Sequence, residues 1–283
     1  MNAPAGPTPP RSFSTGFAWL TAAANLMKAQ FARLLLVGLL LQVLGGLAQV
    51  GILSLLFILA VPALTAGMLQ AMHLTASGQQ PAPFVLFAAF RDSGRLLSLV
   101  LLGAITIAAT LLVLSLLVAG ALTGLDPDLV ARIQAGDQSA VLELDPALVQ
   151  KVLLGMVAGL LTGACLGFFA VPLIWFEGRP LGDALWTGLR SLLRQWRALT
   201  AMGLGLAAIG LPVGLLAGMI LAAQASGAAP SLLLTVLLMG VVVVYQVLAF
   251  AAQYVAYRDA FHGAAPFREA GDERPDDEDQ LVA

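Results

Sequence analysis

The chain has 283 residues, of which 59% are hydrophobic and only 11% charged, with a formal net charge of −2. Soluble domains carry about a quarter charged residues, and a soluble fold this poor in polar groups would leave much apolar surface uncovered. The composition excludes an ordinary soluble domain and points to hydrocarbon as the solvent of most of the chain.

In chain order, Met1–Pro10 is rich in Pro and Ala and lacks a basic segment running into a short apolar core. No cleavable signal peptide is expected, and 1–12 reads as a disordered N-terminal tail. Residues 13–262 read as one transmembrane domain. Its opening segment, about 13–31, puts Phe13, Phe17, Leu20, Ala24, Met27 and Phe31 on one helical stripe, the pattern of a helix lying in the interface plane. No charged residue lies between Leu34 and Phe90. The tract from Leu34 to Ala76 is too long for one span and fits two. Gly45, Gly46 and Gly51 weaken helix continuity around Gln49, which predicts a turn there and spans over about 31–48 and 52–74.

A second cytoplasmic segment, about 83–95, carries Phe84, Phe87 and Phe90 imperfectly on one side, followed by Arg91 and Arg95. Span three follows over about 95–123. The loop beyond it is acidic, with Asp126, Asp128, Asp137, Glu143 and Asp145. Two similar helix starts stand in it: Leu125-Asp126-Pro127, expected to open a short helix ended by Gly136, and Leu144-Asp145-Pro146. Asp145 is expected to cap span four, about 146–176. A third amphipathic segment, about 181–197, has Leu185, Leu189, Leu192, Leu193 and Trp196 on its apolar face and Arg190, Arg194 and Arg197 on its basic face. Spans five and six, about 198–224 and 231–257, flank a polar turn, and 263–283 is an acidic tail that reads as disordered. Six spans result; a turn misplaced near Gly46 would make five or seven. Spans in lipid must pair their own backbone groups, so all are helices, and the fold class is an all-α polytopic bundle.

Twelve Lys and Arg fall on the side that also holds both chain ends, and only Arg132 and Lys151 on the other. By the positive-inside rule both termini are expected in the cytoplasm, and the expected location is a bacterial inner membrane. Three copies of one pattern emerge: an amphipathic segment, a helix out and a helix back. Leu59-Ala60-Val61-Pro62 matches Phe169-Ala170-Val171-Pro172 in the returning helices, and Arg91-x-x-x-Arg95 echoes Arg190-x-x-x-Arg194.

Gly155, Gly159, Gly163 and Gly167 in span four, and Gly210, Gly214 and Gly218 in span five, recur every four residues. Such rows let helix backbones approach closely in lipid; intrachain packing is the expected use, with a homo-oligomer interface as the alternative. Pro62, Pro172 and Pro212 should kink their helices. The spans hold no charge, so the polar candidates near the midplane are Gln42, Thr106, Thr110, Ser115, Thr162, Gln246 and Gln253. Gln246 and Gln253, seven apart on one face, could line a polar cleft or bond to neighbouring helices. His73 and His262 lie near the cytoplasmic ends of returning helices without a third metal ligand at suitable spacing. Glu177 beside Arg179 reads as an interfacial ion pair. Cys165 reads as a small packed residue. No catalytic fingerprint is present, and neither metal nor cofactor is expected.

The stretch Trp19–Arg33 running into span one, the segment Val61-Pro62-Ala63-Leu64-Thr65-Ala66-Gly67, and Phe87–Arg95 running into span three carry a resemblance. The chain resembles a family of uncharacterised proteobacterial six-helix membrane proteins of the BPSS type. More distantly it is similar to the membrane domain of some glycerophosphodiester phosphodiesterases, whose soluble catalytic domain has no counterpart here. The resemblance implies a six-helix inner-membrane protein and no activity. The expected role is non-enzymatic: structural, regulatory or membrane-organising. The alternative is a transporter or lipid-handling protein for a neutral or amphiphilic substrate. Expected partners are the bilayer and its anionic lipids, contacted through Arg91, Arg95, Arg190, Arg194 and Arg197, and not nucleic acid.

Overall fold

The computed structural model describes residues 11–47, 52–122, 126–135, 143–225 and 232–263. Apart from Arg11, Ser12 and Gly263, the two expected tails lie outside the described residues, as do the expected turns at Gln49 and Gly136. Among the described residues all regular structure is helical. The order is α1 (Phe13–Ala29), α2 (Phe31–Leu47), α3 (Ile52–Ala76), a 3-10 helix (Pro83–Arg91), α4 (Ser93–Leu122), α5 (Pro127–Gln134), α6 (Pro146–Glu177), α7 (Leu181–Arg194), α8 (Trp196–Ala225) and α9 (Leu232–His262). Helices α3, α4, α6, α8 and α9 are each long and apolar enough to cross a membrane. The expected first span, 31–48, falls on α2, which passes that test only together with α1 across a sharp bend, so the described helices number five such spans, or six if the bent pair is one. The chain is a multi-pass membrane protein.

The bend between α1 and α2 is 99°. It falls at Gln30, which leaves helical geometry while its carbonyl accepts from the Arg33 and Leu34 amides to start α2. Thus α1 lies across the end of the bundle and α2 runs into it. The side chains of α1 divide by direction. Trp19, Ala22, Ala23 and Leu26 are buried, whereas the sequence-derived stripe contributes the exposed Phe13, Phe17 and Phe31. The other half of that stripe, Leu20, Ala24 and Met27, is half-buried against the core, so the stripe borders the packing face and turns outward only at its phenylalanines. Helix α7 is built the same way. Ala184, Gly188 and Ser191 pack inward, Leu189, Leu193 and Trp196 are exposed, and Arg190 and Arg194 point a third way.

The middle segment departs from expectation. A 3-10 helix over 83–91 ends at Asp92, whose backbone is extended and whose carboxylate accepts from the Arg95 amide to open α4. Three residues per turn align every third side chain. Phe84, Phe87 and Phe90, imperfectly placed on an α-helix, thus share one edge, and Leu86 and Ala89 share the buried one. The same break puts Arg91 and Arg95 on different helices, so the echo of Arg190 and Arg194 has no common geometry.

Capping follows the sequence. Asp126 accepts from the Asp128 amide at 3.0 Å to start α5, and Asp145 accepts from the Ala147 amide at 2.8 Å to start α6. Gly178 ends α6 with a φ of 65°, a conformation that favours glycine.

The core sits toward the basic end of the bundle. It joins Trp19 and Leu26 of α1, Leu34 and Val37 of α2, Met68, Leu69 and Met72 of α3, Leu86 of the 3-10 helix, Phe169 and Ile174 of α6, and α9 from Val243 to Phe261. Polar ties cross it. Asp259 of α9 accepts from Arg11 at 2.9 Å and from the Trp19 indole at 3.1 Å, so Arg11 belongs to the fold rather than to a tail. The Trp175 indole donates to Gln70 at 3.0 Å, and Arg95 lies 5.4 Å over the Trp175 ring. The opposite half exposes Leu112, Leu116, Leu160, Leu215, Leu232 and Leu233. Lipid satisfies such surface and water does not.

Candidate functional site

The two glycine rows meet different surroundings. A methyl group on Gly159 would lie 3.2 Å from the Thr110 carbonyl oxygen and 2.9 Å from Thr110 Cγ2. On Gly155 it would meet Leu114, and on Gly163 it would meet Thr106. Helix α4 therefore fills the first three positions, and the Thr110 hydroxyl donates to the Gly159 carbonyl at 3.1 Å across the contact. Gly167, the fourth, has no neighbour within 4 Å of such a methyl group. In the second row, Gly210 packs on the Tyr245 ring of α9, but Gly214 and Gly218 meet nothing within 4 Å. The expectation of intrachain packing at Gly167, Gly214 and Gly218 is corrected. Cys165 is likewise exposed rather than packed.

Gly167 is open because it lines a groove of about 580 Å³ between α3, α4, α6 and α9. Pro62 and Thr65 of α3, Thr106 and Thr110 of α4, and Phe250 and Gln253 of α9 form its walls. Its rim residues Ile58, Val61, Leu111 and Leu160 are exposed. The groove thus opens sideways, part-way along the spans, where the surroundings are hydrocarbon. The sequence had offered Gln246 and Gln253 as a polar cleft. Instead, Gln246 does not line the groove, and the Gln253 side-chain nitrogen donates to the Phe168 carbonyl at 2.8 Å. Proline 172 explains the pairing. It has no N–H, so the carbonyl four residues earlier, that of Phe168, loses its helical partner. Gln253 restores it from the next helix. Of the other polar candidates, Thr162 and Ser115 bond back to carbonyls of their own helix, and Gln42 reaches Met239 of α9. The groove is accordingly mostly apolar, and two of its four polar wall residues, Thr110 and Gln253, are turned to backbone carbonyls.

At the basic end, a second cavity of about 490 Å³ lies between the ends of α3, α6 and α9. It brings together the two histidines that sequence reading had left apart. Tyr254 accepts or donates at 3.0 Å with His73 Nδ1, Arg258 stands 5.9 Å over the Tyr254 ring, and His262 packs on Tyr257. Tyr257 donates to Glu177 at 3.2 Å, and Glu177 is paired with Arg179 at 2.7 Å, the interfacial ion pair expected from sequence. From sequence, Tyr257 and Arg258 ahead of His262 read only as an interfacial anchor, and Tyr254 carried no reading. The aromatic spacing Tyr254, Tyr257, Phe261 on the end of α9 was the available signal. Among the described residues, no group of three His, Cys, Asp or Glu is placed to hold a metal ion.

Of the basic side chains expected at lipid headgroups, Arg190 and Arg194 stand on the outward face of α7, and Arg197 stacks on Trp196 at the start of α8. Arg91 is exposed on the 3-10 helix. Arg95 instead spends its guanidinium on Trp175 and on Asp92, 3.4 Å away. Comparison with protein-family models, with curated proteins and with solved structures found no match.

Proposed function

We propose that this is a non-enzymatic protein of the bacterial inner membrane, with both ends cytoplasmic, that holds the apolar part of an amphiphilic lipid in the groove between α3, α4, α6 and α9. The groove carries the reading. It has the volume of a small-molecule site, it opens toward hydrocarbon, and its lining is apolar apart from three threonines and Gln253, of which Thr110 and Gln253 are bonded to backbone. Such walls suit an alkyl chain and offer little to a polar solute. The excess of Lys and Arg at one end supports the orientation, and the resemblance to six-helix inner-membrane proteins agrees with it.

A photoactivatable single-chain lipid in proteoliposomes tests the groove. Crosslinks should concentrate on peptides holding Ile58–Thr65 and Thr106–Leu111. Gly167→Phe, which builds into open space, should remove them while the protein remains monodisperse. Labelling spread evenly over every lipid-exposed helix, or unchanged in Gly167→Phe, rejects the reading.

The exposed arginines of α7 and α8 support a second part of the role, the retention of anionic lipid around the basic end. Each would contribute about 1 kcal/mol at an anionic surface. Replacing Arg190, Arg194 and Arg197 together by Gln should lower the anionic lipid that co-purifies with the protein. Unchanged retention counts against it.

A further inference from the structure

The cavity at the basic end, we infer, binds a phosphate or carboxylate group, the headgroup of the amphiphile whose chain the groove receives. This inference rests on the lipid-binding reading for the chain and on separate geometry for the headgroup. Arg258 borders the cavity and, among the described residues, has no carboxylate partner; its contact is the Tyr254 ring. Among the described residues, Glu177, bonded to the cavity's Tyr257, and Asp259, next to Arg258 in sequence, are already taken. Glu177 is held by Arg179 and Tyr257, and Asp259 by Arg11 and Trp19. Among the described residues no carboxylate lines the cavity, whereas Arg258, His73, His262 and Tyr254 do. A cation would face Arg258 unscreened. A neutral apolar ligand would strip water from it without return. An anion gains charge-assisted hydrogen bonds.

Position adds the second argument. Groove and cavity lie between the same three helices, α3, α6 and α9. On α3, Thr65 lines the groove and Ala76 the cavity. Eleven residues at 3.6 per turn return to within about 20° of the same side. On α9, Gln253 lines one and Tyr254 the other. From Thr65 to His73 is about 12 Å of helix, a step from mid-span to headgroup level. A single molecule with an apolar chain and an anionic head matches this succession.

The test uses the full chain purified in detergent, with binding read by native mass spectrometry and calorimetry. The probes are a single-chain lipid with a phosphate monoester head, the same chain with an uncharged glycerol head, and inorganic phosphate. The wild type should prefer the phosphate monoester lipid by about tenfold, as expected for one charge-assisted contact. Arg258→Gln should erase the preference without weakening the glycerol-headed lipid, and Arg258→Lys should keep part of it. Inorganic phosphate that competes in the wild type and not in Arg258→Gln supports the anion site and identifies a free anion as a ligand too. Equal affinity for the two lipids, with no phosphate binding, overturns the anion site. If Gly167→Phe still blocks both lipids, the groove reading survives that result. Phosphate bound through Arg258, with neither lipid bound, leaves an anion site and removes the groove reading together with the headgroup assignment.

Discussion

On α6, Gly155, Gly159 and Gly163 lie under α4 so closely that an added methyl group would strike Leu114, Thr110 and Thr106. On α8, with the same four-residue spacing, only Gly210 touches a neighbour, and Gly214 and Gly218 face open space. A row of small residues makes a helix flat on one side, and it does not choose what comes to lie there. Helix α4 reaches α6 because nothing else competes for that face. The start of α8 is claimed by α1, where Gly16 abuts the backbone of Ala198 and Met202. Helix α9 is drawn toward α2, where Val243 and Val247 close over Gly38. The outer halves of α8 and α9 are left with lipid-facing leucines.

The contrast is sharpest in a matched pair of substitutions. Gly159→Leu should cost about 3 kcal/mol or abolish the monodisperse protein, because the atoms it meets include backbone that cannot step aside. Gly214→Leu should stay within about 0.5 kcal/mol of wild type. Thermal unfolding in detergent measures both, and equal losses would break the comparison. A Gly214→Leu variant that alters oligomeric mass would instead assign the α8 row to a second copy.

Next in size is the tie that fixes α1 over the bundle. Asp259→Ala leaves Arg11 and the buried Trp19 indole without their acceptor. The expected cost is about 2 kcal/mol, since hydrogen bonds to charged groups exceed neutral ones. Proteolysis near Gln30 should accelerate in that variant. An unchanged cleavage rate would mean that α1 is held by its apolar face alone.

The smallest expected effect concerns Gln253. Gln253→Leu should destabilise by about 1 kcal/mol by orphaning the Phe168 carbonyl. In a Pro172→Ala background the helix recovers its own N–H at that carbonyl, so the same substitution should become nearly silent. Additive effects in the double variant would show that Gln253 acts elsewhere.

Much of the fold is legible in the residues themselves. Uncharged tracts mark the spans because hydrocarbon excludes charge. Asp126-Pro127 and Asp145-Pro146 mark helix starts because a carboxylate caps orphaned amides. The shorter helices that precede the spans are visible as well, although one of them proves to be a 3-10 helix. Periodicity read at 3.6 residues cannot see an alignment that recurs every three.

Local pattern thus determined the solvent, the placing of the long apolar helices and the concentration of arginine at one end, since each follows from composition along the chain. Only tertiary structure decided which glycines are covered, that Gln253 answers Pro172, and that His73, Tyr254 and Arg258 share a cavity. These are meetings between helices far apart in sequence. They depend on which faces win contact when several apolar surfaces compete for the same neighbour.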